Sequence, residues 1–160
     1  MRNLLLAMIM FAATVSGCKK KDSCPEDNRV APATEAQQIE EFLSTNSITA
    51  TRHKSNMYYQ VQTPGSGGSP NVCSTIRVSY RGTLTNGAEF DKSSDFVYRL
   101  GGLISGWIQG IPLVQKGGSI RLFVPPSLGY GSQDVKDRDG TVKIPGNSIL
   151  VFDITLMDFQ

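Results

Sequence analysis

One histidine, one tryptophan and three cysteines are all that the 160 residues hold of these side chains. The single histidine, His53, stands in a polar run from Thr51 to Asn56 that reads as a connector, so a Ser-His-Asp or Cys-His nucleophile is not expected. No His and Cys cluster offers metal-ligand spacing, and no metal or cofactor is expected. Asp137, Asp139 and Gly140 faintly follow a calcium loop, but its first position would be Val135 and its twelfth Gly146, so the match fails. The glycine-rich run from Pro64 to Pro70 lacks the Lys-Ser/Thr of a phosphate loop. Charge of one sign is also missing: 16 basic residues face 14 acidic ones, which gives no reason to expect nucleic acid. The apolar run from Leu4 to Ala13 falls short of the roughly 20 residues that cross a bilayer.

What the first residues do suit is a secretory signal peptide, with Arg2 as a short basic region ahead of the apolar run. The end of that run, Val15-Ser16-Gly17-Cys18, resembles the bacterial lipobox. That resemblance implies cleavage before Cys18, lipidation of Cys18 and a bacterial source. The expected location is the cell envelope, lipid-anchored, on the outer membrane facing the periplasm. Several acyl chains on one residue anchor a protein stably where single chains bind only marginally. Lys19, Lys20 and Lys21 then lie against anionic headgroups or form a solvated basic spacer. In an oxidising compartment the two remaining cysteines, Cys24 and Cys73, invite a disulfide, the alternative being two free thiols.

The expected organisation is a signal peptide over residues 1–17, a lipidated flexible tether over 18–33, a helical extension over 34–56 and one domain over 57–160. Thr34 with Gln37 has the form of a capping box, and Ile39, Phe42 and Leu43 share one helical face, which predicts a short amphipathic helix from Glu35 to Ser44. From Met57 the period changes to two. Met57, Tyr59 and Val61 alternate with Tyr58, Gln60 and Gln62; Ile76, Val78 and Tyr80 share a face, as do Phe96, Tyr98 and Leu100, then Ile120, Leu122 and Val124, and finally Leu150, Phe152, Ile154 and Leu156. Asn86-Gly87 is a hairpin signal. Pro112 limits a helical interruption near Trp107, and residues 132–143 read as a charged, solvated loop. The predicted fold is α+β: a curved antiparallel sheet of five to six strands wrapped around a short helix, preceded by the amphipathic helix.

Aromatic residues recur on segments that should converge, and the order of the blocks gives them meaning. VSYRGTLTNGAEFD (78–91), LISGWIQG (103–110), PPSLGYG (125–131) and IPGNSILVFDITL (144–156) resemble, in order and spacing, the FKBP-type peptidyl-prolyl cis-trans isomerases. The resemblance covers roughly residues 57–160, and residues 38–70 are similar to the N-terminal extension seen in membrane-anchored bacterial members. It implies that Trp107 floors a proline pocket walled by Tyr80, Phe90, Phe96 and Phe152, with aliphatic sides at Leu103, Ile104 and Ile144. It also implies that the Ile104 N–H and the Tyr130 hydroxyl hold substrate carbonyls, with Asp91 at the rim. Phe90, Asp91, Ile104 and Tyr130 are the catalytic candidates; the other six bind substrate. The implied partners are proline-containing unfolded or exported polypeptides, rapamycin-like macrolides and, through the lipid, a membrane. The alternative is an FKBP-like chaperone or peptide-binding module with little turnover.

Two departures from the family pattern stand out. FDKSSDFVYRLGG is several residues shorter than usual, with Lys92 inside the usual FDSS and no identifiable basic partner for Asp91. The loop from Ser132 to Lys143 lacks the usual histidine.

Overall fold

The computed structural model describes residues 24–160; the expected signal peptide and Cys18 lie outside them. The elements, in chain order, are helix α1 (Ala33–Thr45) and strands β1 (Thr51–Arg52), β2 (Tyr58–Thr63), β3 (Thr75–Leu84) and β4 (Glu89–Arg99). Helix α2 (Ser105–Gly110) follows, then β5 (Ser119–Val124), β6 (Val135–Lys136), β7 (Val142–Ile144) and β8 (Leu150–Phe159). Six strands form one antiparallel sheet in the order β1-β2-β5-β8-β3-β4, and β6 pairs with β7 in a separate hairpin. The fold is thus α+β, with the sheet curved around α2. Bulges supply the bend, since the register shifts between Val78 and Tyr80 and between Gly82 and Thr83 against β4, and between Arg77 and Val78 against β8.

The inner face carries the main core. Ile76, Val78, Ile120, Leu122, Val124, Phe152, Ile154 and Leu156 point inward at period two and meet Trp107 and Ile111 from the helical interruption. Helix α2 ends in a 3-10 turn, Ile111–Leu113, where Pro112 sits. A second, smaller core lies on the outer face. Tyr58 pairs with Phe123 and Phe123 with Val151, forming one row across three strands. Ala36, Ile39 and Leu43 of α1 cover that row, with the Phe42 ring 6.3 Å from Phe123. The alternation in β2 therefore does not separate a buried face from a wet one: Met57 and Tyr58 are both buried, while Val61 is exposed.

Several expectations need correction. Helix α1 starts at Ala33, and its N-cap is Pro32, so the Thr34–Gln37 capping box does not form. Buried Ala31 fixes the entry point, and the Pro32 carbonyl accepts from the N–H groups of Glu35 and Ala36. Gln37 instead donates to Glu41, and Glu35 accepts from Ser127. Phe96 and Tyr98 lie in an 11-residue strand, β4, that begins at Glu89 because β3 pairs along nearly all of it, whereas Leu100 opens a 3-10 turn. Residues 132–143, expected as a loop, contribute β6 and much of β7. The connector holding His53 includes β1, and His53 is half-buried, its Nδ1 2.8 Å from Ser55 Oγ. Burial first, then the Lys54 charge, pushes the imidazole down from its ordinary pKa.

The expected flexible tether is fixed from Cys24 onward. Cys24 is disulfide-bonded to Cys73, with their Cα atoms 5.6 Å apart. Ala31 donates its N–H to the Ser55 carbonyl at 2.9 Å and accepts from Asn56 Nδ2 at 2.7 Å. This stretch has no regular secondary structure, yet it is pinned at both ends.

Candidate functional site

Helix α2 is only six residues long, and its three faces do three jobs. Gly106 and Gly110 lie against the sheet, where a Cβ on Gly106 would stand 2.5 Å from Val124 Cγ1 and one on Gly110 2.6 Å from Leu122 Cδ1. Both glycines are thus required by close approach. Ser105 and Gln109, one turn apart, share a second face. Trp107 falls on a third, opposite the Ser105 side, because each residue advances 100°. The turn preceding the helix is built on the Ile104 carbonyl, which accepts from Trp107 at 2.9 Å and Ile108 at 3.1 Å, leaving the Ile104 N–H outside the helix ladder.

Trp107 is 4% exposed and forms the floor of a cavity of about 280 Å³ lined by Tyr80, Asp91, Phe96, Leu103, Ile104, Tyr130 and Phe152, together with Gly102. Three rings meet the indole edge to face: Tyr80 at 5.0 Å, Phe152 at 5.2 Å and Phe96 at 6.2 Å, with interplanar angles of 81°, 86° and 89°. Such pairs favour the opposed quadrupoles of aromatic rings and hold one another upright. The indole N–H, though buried, has no acceptor among the described residues.

The rim is polar. Asp91 accepts from the Tyr80 hydroxyl at 2.5 Å and from the Lys92 backbone N–H at 2.9 Å. The missing basic partner is thus replaced by a phenol and an amide, while the Lys92 ammonium pairs with Glu89 at 2.8 Å. Burial, then the hydrogen bond and charge of Asp91, pushes the Tyr80 phenol far above its ordinary pKa. Tyr130 is half in and half out of the rim, and partial burial followed by the Asp91 charge raises its phenol as well. Both hydroxyls therefore stay protonated and can donate at neutral pH.

Eight of the ten residues singled out from sequence converge on this cavity. Phe90 and Ile144 do not line it. Phe90 stands edge-on behind Phe152 at 5.5 Å, over Gly82, where a Cβ would come within 2.6 Å of its ring. Ile144 is buried in the main core, on β7. Sequence reasoning missed Gly102, which has no side chain to signal a role; a Cβ there would strike the Tyr98 ring at 2.7 Å. Tyr98 in turn stacks on Phe96 at 5.9 Å and 12°, outside the box, and half of it is exposed. Among the described residues no group of acidic, His and Cys side chains could hold a metal.

Residues 67–157 match the family model of the FKBP-type peptidyl-prolyl cis-trans isomerases. The FKBP-type peptidyl-prolyl cis-trans isomerase FkpA of Escherichia coli K12 is 42% identical over 125 residues, covering 76% of this chain and 43% of the relative, so the chain spans less than half of that protein. The crystal structure of FkpA from Escherichia coli superposes with a TM-score of 0.67 at 35% identity, covering 80% of this chain and 60% of the other. A peptidyl-prolyl cis-trans isomerase from Pseudomonas syringae pv. tomato superposes equally well, at a TM-score of 0.67 and 28% identity, over 81% of this chain and 97% of the other. An aromatic box on a glycine-seated helix and a family match over more than half of its length together make this chain a member of the FKBP-type peptidyl-prolyl cis-trans isomerase family.

Proposed function

We propose that this protein accelerates cis-trans rotation of X-Pro bonds in exported polypeptides, without covalent or metal chemistry. The observation that carries the reading is the box of Tyr80, Phe96, Trp107 and Phe152 with a single carboxylate, Asp91, at its rim. Its volume and apolar walls suit a proline ring, and its polar groups are few and at the edge.

Rotation about an amide breaks C–N resonance and faces about 18–20 kcal/mol. The planar amide has a large dipole that water solvates well. The twisted form has lost much of that charge separation, so an apolar cavity favours it over the planar form. Trp107, Phe96 and Phe152 grip the ring while the preceding residue turns. The Ile104 N–H and the Tyr130 hydroxyl hold the flanking carbonyls, and Asp91, steadied by Tyr80, faces the nitrogen that becomes pyramidal. Raising the rate from about 0.01 to about 100 per second takes roughly 5.4 kcal/mol of transition-state stabilisation, which several such contacts can supply.

The signal-like first residues and the lipobox resemblance support a lipid-anchored enzyme of the bacterial envelope, on the outer membrane facing the periplasm. The domain division read from the sequence, with a helical extension over 34–56, accompanies that reading.

The test follows relaxation of a short leucyl-prolyl peptide with the full chain in detergent. Wild type should accelerate it, while Asp91→Ala and Tyr130→Phe should each lose roughly tenfold in kcat/KM at unchanged fold. A folded protein whose Trp107 fluorescence responds to rapamycin but which leaves the peptide rate unchanged would overturn the enzyme reading and make this a binding module.

A further inference from the structure

The family match begins at residue 67, yet the segment from Cys24 to Ala31 reaches the site from behind. Asp27 lies in it, with its side chain only 9% exposed. Its Oδ2 accepts from Ser105 Oγ at 2.8 Å, and its Oδ1 lies 3.4 Å from Gln109 Nε2. Gln109 Nε2 also donates to the Arg29 carbonyl at 2.9 Å, and the Arg29 guanidinium pairs with Asp27 at 2.6 Å. Ser105 and Gln109 occupy the face of α2 that turns away from Trp107. One carboxylate therefore binds both ends of the helix that carries the pocket floor.

A cavity of about 340 Å³ opens on that side of α2, lined among others by Cys24, Asp27, Val72, Ile108 and Gln109. Packed on its sheet face through two glycines, the helix meets the strap on its other side, where Ser105 is only 1% exposed. The strap is itself fastened at one end by the Cys24–Cys73 disulfide and at the other by the buried Ala31 backbone.

We propose that Asp27 is a positioning residue for the pocket: by holding Ser105 and Gln109 from a strap outside the family domain, it fixes the Ile104 N–H and the Trp107 ring in the places the X-Pro bond requires. The proposal rests on the isomerase reading of the pocket, but its structural half can be measured without turnover, because Trp107 is the only tryptophan and reports its own environment.

The experiment compares Asp27→Ala, Asp27→Asn, Cys24→Ser and the double variant Asp27→Ala/Cys24→Ser in the full chain in detergent, well below their melting temperatures. Asp27→Ala should lower kcat/KM roughly tenfold, short of the about 100-fold that a 1 Å misplacement can cost. It should also shift Trp107 emission and increase its quenching by acrylamide. Asp27→Asn, which keeps an acceptor for Ser105, should recover part of both. Cys24→Ser should move both readouts the same way, and the double variant should lose no more than the worse single one, since both release one strap. A variant set with lower melting temperatures but with Trp107 emission, quenching and kcat/KM within about twofold of wild type would overturn the proposal and leave Asp27 merely structural. Should wild type show no turnover at all, the isomerase reading falls by itself. The strap is then judged on Trp107 emission and quenching and on rapamycin affinity: unchanged values in Asp27→Ala overturn it, and shifted values support it.

Discussion

Gly106→Ala is the smallest change that should separate activity from stability. The added Cβ would stand 2.5 Å and 2.7 Å from the two γ-carbons of Val124, where ordinary carbon contacts are about 3.5–4.0 Å. Val124 is fully buried on β5, a strand paired on both sides, so the sheet cannot yield and α2 must lift by about 1 Å. Overpacking of this kind costs about 1–3 kcal/mol, offset by about 1 kcal/mol because alanine favours helix over glycine. The net loss is about 0–2 kcal/mol, only several degrees of melting temperature. The same 1 Å carries Ile104 and Trp107 out of place and can cost up to about 100-fold in kcat/KM. Peptide relaxation beside thermal unfolding measures both. The companion variant Gly106→Ala/Val124→Ala removes the two γ-carbons and should restore most of kcat/KM, although its melting temperature falls further. Should Gly106→Ala keep kcat/KM within about threefold, or the companion fail to recover it, the tight seat of α2 is not what sets the pocket.

Two further predictions test other parts of the molecule. Ile39 is fully buried under α1 on the outer face, so Ile39→Ala should cost about 2–5 kcal/mol in urea unfolding and leave kcat/KM unchanged below the transition; an equal loss in both would mean that α1 communicates with the pocket. The hydrogen bond from Arg29, against a smaller opposing effect of burial, holds the Asp27 carboxyl at about 2, below the 3.8 of a free aspartate. A lowered folded pKa means stability that is present above the unfolded value and lost as pH falls from about 4 towards 2. The stability gap between wild type and Asp27→Asn should therefore be about 1–2 kcal/mol near neutral pH and shrink at about pH 2.5, Arg29 being largely exposed. A gap that persists there would refute the assignment.

The sequence carried the face of each strand but not its depth. Ile76, Val78, Leu122, Phe152 and Ile154 alternate and point inward, as period two requires. Nothing local shows that Tyr58, on the opposite side of β2, is also buried, because its cover comes from α1. Trp107, Tyr80 and Phe152 could be grouped because their motifs come in a fixed order. Phe90 and Ile144 share those motifs, yet one stands behind Phe152 and the other within the core, since a motif records neighbours in sequence and not which ring is in front. The strap was illegible for a plainer reason. Asp27 lies in a polar, proline-bounded run with the composition of a linker, and its partners Ser105 and Gln109 are 78 and 82 residues away. The shortened stretch after Asp91 hid a substitution of means: a phenol and a backbone amide do what a basic side chain was expected to do.

The place of β8 bears on the order of events as the chain is made. It lies between β5 and β3, and among the described residues no other strand joins the β1-β2-β5 side of the sheet to the β3-β4 side. A chain emerging amino end first therefore holds two separate ribbons until residues 150–159 slide between them and add a strand to both. Phe152, one wall of the pocket, arrives only in that step. Its pairings with β3, such as Ile76 with Phe159, bridge the longest stretches of sequence in the sheet, and pairings of that kind form slowly. Until they form, two open strand edges remain available to any neighbouring chain, so for that interval the newborn protein is open to edge-to-edge pairing with other chains.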